Sequence, residues 1–270
     1  MVDLVIPGLR FPEGPRWHDG AWWLSDQLGA VHRLGADGAH TVVAELFRPS
    51  GLGFTPDGDL LVVTMDEPAI IRITDTGPEV VVDLTPHAHH CNDMYVDTVG
   101  RAYVNAYDEG YRRGRLLLVA VDGSVTVAAD DLAFPNGVAV TPDGSTLVVA
   151  ETFRSRVTAF DVAEDGTLSN RRTWADLPGA QPDGLCLDAA GGAWVASYLS
   201  GEALHVTPDG GVDEVITVGG RWVMACALGG DDGRTLLLCT AETDTEGWQR
   251  GEAVGFLETH RVAVLGVGRP

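Results

Sequence analysis

The chain has 270 residues, 45% of them hydrophobic, and no low-complexity or Pro/Ser-rich linker divides it, so a single domain with a large core is expected over residues 1–270. Thirty-nine acids against 18 bases give a formal net charge of -21, which disfavours nucleic acid and anionic membrane surfaces as partners without identifying a substrate. The segment Met1-Val2-Asp3-Leu4-Val5-Ile6-Pro7 has neither a basic start nor a long apolar stretch, and no apolar run approaches the roughly 20 residues of a membrane span, so a cytoplasmic protein is expected.

Along the chain, short Val-, Leu- and Ala-rich runs alternate with Asp-Gly turns, and no segment keeps a long 3.6-residue apolar period. Turns fall at His18-Asp19-Gly20, Pro56-Asp57-Gly58, Asp97 to Gly100, Pro142-Asp143-Gly144, Asp188 to Gly191 and Asp231-Asp232-Gly233, with their glycines 38 to 47 residues apart. An apolar strand follows each turn, as in Ala21 to Leu24, Leu60 to Val63, Thr146 to Val149 and Ala193 to Ala196. A second hairpin generally comes next, as in Ala30 to Leu34, a turn at Asp37-Gly38, and Thr41 to Ala44. Six such units of four strands, at blade length, predict an all-β six-bladed β-propeller with four-stranded blades around a central channel. Closing the ring also removes most free strand edges.

In a propeller the first strand of every blade lines the axis, so equivalent positions some 40 residues apart should face one another. The six segments Phe11-Pro12-Glu13-Gly14, Arg48-Pro49-Ser50-Gly51, His90-Cys91-Asn92-Asp93, Phe134-Pro135-Asn136-Gly137, Gln181-Pro182-Asp183-Gly184 and Trp222-Val223-Met224-Ala225 align. Their third column reads Glu13, Ser50, Asn92, Asn136, Asp183, Met224. Two carboxylates and two carboxamides about one axis form an all-oxygen set suited to one divalent metal ion, Ca²⁺ first, with Mg²⁺, Mn²⁺ or Zn²⁺ as alternatives. Taken singly, Asn136-Gly137 and Asp183-Gly184 read as turn dipeptides; the shared column is what makes them ligand candidates. The four cysteines form no Cys-x-x-Cys pair and read as buried free thiols. Trp17, Trp22, Trp23 and Trp194 sit on repeat strands and read as packing residues.

These residues resemble the senescence marker protein (regucalcin), gluconolactonase and luciferin-regenerating enzyme family. The resemblance runs through Phe11 to Trp17, Leu24-Ser25-Asp26, Asn92-Asp93, Val96-Asp97, Gly100-Arg101, Pro135-Asn136-Gly137 and Pro182-Asp183-Gly184 to Trp194-Val195-Ala196. It implies a divalent cation held by Glu13, Asn136 and Asp183, with Asn92 binding the ion or the substrate. It also implies a lactone hydrolase in which Asp183 is the general base and Asn92 hydrogen-bonds the lactone. The absence of Gly-x-Ser-x-Gly argues against a serine hydrolase. Where sugar-lactone members carry Arg, this chain has His90, after His87 and His89, which read as solvated loop residues. With Trp222, Met224, Tyr198 and Tyr107 nearby, the pocket is expected to be less polar than one for gluconolactone, and His90, Asn92, Tyr107 and Trp222 are the expected substrate contacts. Asp26 and Asp93 are expected to orient ligands, Asp26 equally to cap a turn. The partner expected is a small-molecule lactone or ester, and the chain a monomer or small homo-oligomer. Phosphotriester hydrolysis, elimination or ring closure in the same pocket, and a non-catalytic propeller pinned by its ion remain as alternatives.

Overall fold

The computed structural model describes residues 2–4, 6, 8–111 and 113–268, with Met1, Val5 and Pro7 of the N-terminal segment outside that set; residues 2–4 are described in backbone alone. The alternating runs form antiparallel strands grouped into six four-stranded sheets. The innermost strands are Pro12–His18, Pro49–Phe54, His90–Val96, Pro135–Val140, Pro182–Leu187 and Trp222–Gly229. The first five blades each take the next three strands of the chain in order, so the expected six-bladed propeller is the observed architecture. The sixth is completed differently: Trp222–Gly229, Thr235–Glu242 and Val254–Arg261 are joined at the outer edge by the N-terminal strand Val2–Leu4, in register Val2 to Thr259 and Leu4 to Leu257. This pairing ties the start of the chain to its last blade, and its two partners lie too far apart in sequence to leave a local signal.

The core lies between blades. Leu61, Val63 and Ile70 of the second blade pack with Met94, Val104 and Leu117 of the third, and each neighbouring pair repeats the pattern with its own apolar cluster. Trp194 is 1% exposed and sits in the cluster joining the fifth and sixth blades, while Trp17 and Trp22 meet edge-on at 4.8 Å; both observations fit the packing role expected of them. Cys91, Cys226 and Cys239 are buried free thiols and Cys186 is half-buried.

Two backbone features of the innermost strands build the channel. In all six the pairing with the second strand slips at or just after the third-column residue, between Glu13 and Arg16, Pro49 and Leu52, Cys91 and Met94, Pro135 and Val138, Pro182 and Leu185, and Val223 and Ala225. A bulge re-aims the side chain it carries, and here the irregularity accompanies the side chains that face the axis. The glycines that follow let adjacent strands touch backbone to backbone. A Cβ on Gly184 would lie 2.7 Å from the Ala225 Cα, and one on Gly51 would lie 2.8 Å from the Asp93 carbonyl carbon. Asn136-Gly137 and Asp183-Gly184 are therefore strand residues, not turns. Among the described residues no helix is long and apolar enough to cross a membrane.

Candidate functional site

At one end of the channel lies a cavity of about 470 Å³, within the range of small-molecule sites; two others, of about 50 and 40 Å³, are far smaller. Glu13, Asn92, Asn136, Asp183 and Met224 all line the large cavity, so five members of the aligned column meet. The sixth, Ser50, is 2% exposed and donates to Asn92 Oδ1 at 2.7 Å.

A directed hydrogen-bond chain runs round this floor. Gln27 Nε2 donates to Ser50 Oγ (3.4 Å), Ser50 Oγ to Asn92 Oδ1, Asn92 Nδ2 to Asn136 Oδ1 (2.8 Å), Asn136 Nδ2 to Thr152 Oγ1 (3.4 Å), and Thr152 Oγ1 to the Pro182 carbonyl (2.6 Å). A carbonyl can only accept, so Pro182 fixes the sense of every link before it. Each Asn oxygen uses one lone pair in the chain and keeps another. Asn105 Nδ2 braces the same floor from beneath, donating to the Asn136 carbonyl at 2.6 Å.

The carboxyls stand in a different electrostatic situation. Burial, the Asp93 carboxylate and only partial relief from the Gly14 N–H and Arg16 push Glu13 up to about 8. Burial, then the charges of Glu13 and Asp93, push Asp183 well above the usual carboxylate range. Arg16 is engaged elsewhere: its Nη2 donates to the Met94 carbonyl at 2.7 Å and meets Asp93 Oδ1 at 3.5 Å. Among the described residues none of the side chains lining the cavity is cationic. Two buried carboxyls beside two oriented carboxamide oxygens, with no facing cation, are a donor set that fits a hard divalent ion. Among the described residues no three His, Cys, Asp or Glu side chains form a metal-type cluster, because half of this set is amide.

The other expected residues divide. Trp222 lines the cavity and meets Phe11 and Tyr198 edge-on, at 6.4 and 5.4 Å between ring centres. The Tyr107 ring lines it too, but its hydroxyl is committed to the Pro135 carbonyl, and burial followed by the Asp183 charge holds the phenol well above its ordinary pKa. His90 is not among the lining residues: its Nδ1 lies 3.1 Å from Asp66 Oδ1 and its ring stacks at 4.3 Å on Tyr111, which does line the cavity. Asp66 also takes Arg48 Nε at 3.2 Å, so one carboxylate holds two of the six first-column side chains, neither of which lines the cavity. Asp26 caps a turn, accepting from the N–H groups of Arg10, Phe11 and Leu28. Asp93 Oδ1 accepts from the Met94 N–H at 2.8 Å behind the ring. His87 and His89 are exposed.

Sequence reasoning did not single out Gln27, Met65, Tyr111, Phe153 or Trp248, all of which line the cavity. A signal existed for most of the wall. Gln27, Met65, Tyr107, Phe153 and Tyr198 all lie at or just past the end of their blade's second strand, a second equivalent column above the first. Trp248 belongs to a short helix, Thr245–Gln249, inserted in the last blade outside the repeat.

Residues 11–242 match the SMP-30/Gluconolactonase/LRE-like region. The chain is 29% identical over its full length to the pentonolactonase XacC of Haloferax volcanii, covering 96% of that protein. It is 28% identical to a 6-deoxy-6-sulfogluconolactonase of Pseudomonas putida, over 92% of this chain and 89% of the relative. The same fold is found in a regucalcin from Agrobacterium tumefaciens described as a calcium-binding protein, with a TM-score of 0.85, 22% identity, and coverage of 99% of this chain and 95% of that one. The chain belongs to the SMP-30/gluconolactonase/LRE-like family.

Proposed function

We propose that this chain hydrolyses a lactone or related cyclic ester, with one divalent metal ion, Ca²⁺ by preference, held by Glu13, Asn92, Asn136 and Asp183. The observation that carries this reading is the pair of buried carboxyls beside two oriented carboxamides on the floor of a ligand-sized cavity. The two lactonase relatives, aligned over nearly the whole chain, support ring opening as the reaction. It acts, in this reading, on a diffusible small molecule in the cytoplasm.

When bound, the ion supplies positive charge that polarises the lactone carbonyl and stabilises the oxyanion formed on attack. Asp183 takes a proton from the attacking water as the new bond to the carbonyl carbon forms. Asn92 hydrogen-bonds the carbonyl or ring oxygen. The ring C–O bond then breaks, and the proton passes from Asp183 to the departing ring oxygen. With burial and two neighbouring carboxyls raising it, Asp183 is a proton acceptor near neutrality only when positive charge beside it offsets them. The fixed chain from Gln27 to Pro182 holds Asn92 and Asn136 in place, so the floor need not reorganise during the reaction.

The test is proton release from a panel of lactones, followed in a pH-stat after chelator dialysis and after refilling with Ca²⁺, Mg²⁺, Mn²⁺ or Zn²⁺, with elemental analysis of the protein as purified. Close to one ion per chain and metal-restored ring opening are expected. Full turnover by folded, metal-free protein would overturn the metal role, and no turnover with any metal would overturn the lactonase reading.

A further inference from the structure

The direction of the hydrogen-bond chain leaves one polar atom without a partner. The single proton on Ser50 Oγ goes to Asn92, so Ser50 can only accept from Gln27, and Gln27 must turn its amide nitrogen to the chain. Its Oε1 is then left over, and it makes no hydrogen bond although the side chain is 3% exposed and lines the cavity. An unpaired buried acceptor is costly and marks a place where a donor belongs.

The space above the floor has a second character. Phe11, Trp222 and Trp248 form one wall, with Phe11 6.0 Å from Trp248 between ring centres. Tyr111, Phe134 and Phe153 form another, with Phe134 4.7 Å from Phe153, which is 66% exposed at the rim. Among the described residues no Arg or His side chain lines this space, and Arg48, whose guanidinium lies over the Trp248 ring, is already paired with Asp66, so no described cation there is left to compensate an anionic substituent. The polar groups on these walls, the Tyr111 and Tyr198 hydroxyls, Thr245, Gln249 and the unpaired Trp248 Nε1, are scattered among aromatic faces, so most hydroxyls of a polyhydroxylated chain would lose water on entry without a replacement.

We infer, building on the lactone reading above, that the substrate is a neutral lactone bearing an aryl or branched alkyl substituent, and that Gln27 is a specificity-determining residue whose Oε1 accepts a hydrogen bond from a hydroxyl on the lactone ring. The aromatic walls enclose the substituent, and the ring with its hydroxyl faces the polar floor. Gln27 meets no reacting atom; it selects among lactones by whether its acceptor is satisfied. A site with an unmet buried polar group rejects the analogue that lacks the donor.

The test uses the metal-loaded full chain and four lactones: γ-phenyl-γ-butyrolactone, its α-hydroxy derivative, D-gluconolactone and the phosphate ester of D-gluconolactone. The α-hydroxy phenyl lactone should exceed its parent by at least ~10-fold in kcat/KM, the scale of one buried hydrogen bond, and both should exceed the two sugar lactones. In Gln27→Met, which keeps the volume and removes the acceptor, the hydroxyl-to-parent ratio should fall to about one. Calorimetric binding of the corresponding non-hydrolysable cyclic ketones should show the same ratio and the same loss. A ratio that survives in Gln27→Met, a preference for either sugar lactone, or loss of the metal from Gln27→Met would overturn the inference, the last by assigning the free oxygen to the ion. Turnover of lactones with a Gln27-independent ratio sinks the inference and leaves the lactonase reading standing. Gln27-dependent ketone binding with no turnover of any lactone does the reverse.

Discussion

Gly137→Ala adds one methyl group at the point where two blades meet behind the cavity floor. The new Cβ would lie 2.6 Å from the Asp183 carbonyl oxygen, 2.8 Å from the Gly184 carbonyl carbon and closer still to the Leu185 amide nitrogen. All three are backbone atoms, so no side chain can swing aside. Restoring ordinary contact at 3.4 Å from the Asp183 oxygen requires the two strands to part by about 0.8 Å (3.4 - 2.6). Overpacking of this kind costs roughly 1–3 kcal/mol. For a chain of this size about 2 kcal/mol lowers Tm by roughly 4–8 °C. The displacement falls on the strand that carries Asp183, and a shift near 1 Å at a reacting group costs ~100-fold, so kcat/KM for any turned-over lactone should drop by about that factor. Gly219→Ala is the control, because a Cβ there meets nothing within 4 Å and no left-handed φ is required. Thermal unfolding and lactone kinetics on the two variants decide the matter: wild-type Tm and activity in Gly137→Ala would refute the claim that this glycine permits the backbone approach on which the floor depends.

Asp183→Asn should lose at least ~100-fold in kcat even with excess metal, the scale of a missing general base, and recovery to wild-type turnover at high metal would leave Asp183 a ligand only. Glu13→Gln should retain its ion more weakly through dialysis, read by elemental analysis; unchanged retention would remove Glu13 from the ligand set. His90→Ala should raise KM by less than ~10-fold without changing metal content, because His90 reaches the cavity only through Tyr111; a larger effect on metal than on KM would contradict that placement. Glu151 is wholly buried, and against that burial Thr158, the Ala133 N–H and Arg156 hold its carboxyl down at about 2 from an ordinary 4.5. A depressed folded pKa contributes stability that is complete above about pH 4.5 and lost as pH falls toward 2, worth about 3 kcal/mol from 2.5 units (4.5 - 2). Glu151→Gln should therefore be less stable at pH 7 and flatten the acid limb of a stability-against-pH curve, and an unaltered limb would count against the assignment.

The blade count was legible because radial repetition forces the chain to spell the same hairpins at nearly constant spacing, and the floor because equivalent positions in a closed ring must converge. The glycine after Asn136 and Asp183 was ambiguous for a physical reason. A turn and a tight backbone contact both select glycine, and only the neighbouring blade tells them apart. His90 shows where alignment by column stops. The column locates a Cα near the channel, but the rotamer is set by Asp66 on another blade, which no repeat predicts. Gln27 was silent because no other blade repeats its chemistry at that position, and Trp248 because its helix is an insertion. The N-terminal strand was silent because its partner lies at the far end of the chain.

The floor is also less symmetric than the fold that makes it, and this asymmetry is what gives it a chemical direction. Six equivalent bulged strands present one acid, one hydroxyl, two amides, one acid and one thioether in order: Glu13, Ser50, Asn92, Asn136, Asp183, Met224. The hydroxyl and the two amides are wired to one another, from Gln27 beside Ser50 to Thr152 beside Pro182, and the acids stand outside the wiring. The amides are thereby fixed without being neutralised, while the acids are buried without being paired. A fixed dipole costs nothing to reorient during a reaction, and an unpaired buried acid changes its protonation with any charge brought beside it. One end of the chain is closed by a backbone carbonyl that can only accept, so its other end must present an acceptor, and that acceptor is Gln27 Oε1. Deleting the Thr152 hydroxyl by Thr152→Val removes the donor to Pro182 and with it the constraint that fixes the chain's sense. The hydroxyl preference expected of Gln27 should then weaken even though Gln27 itself is untouched.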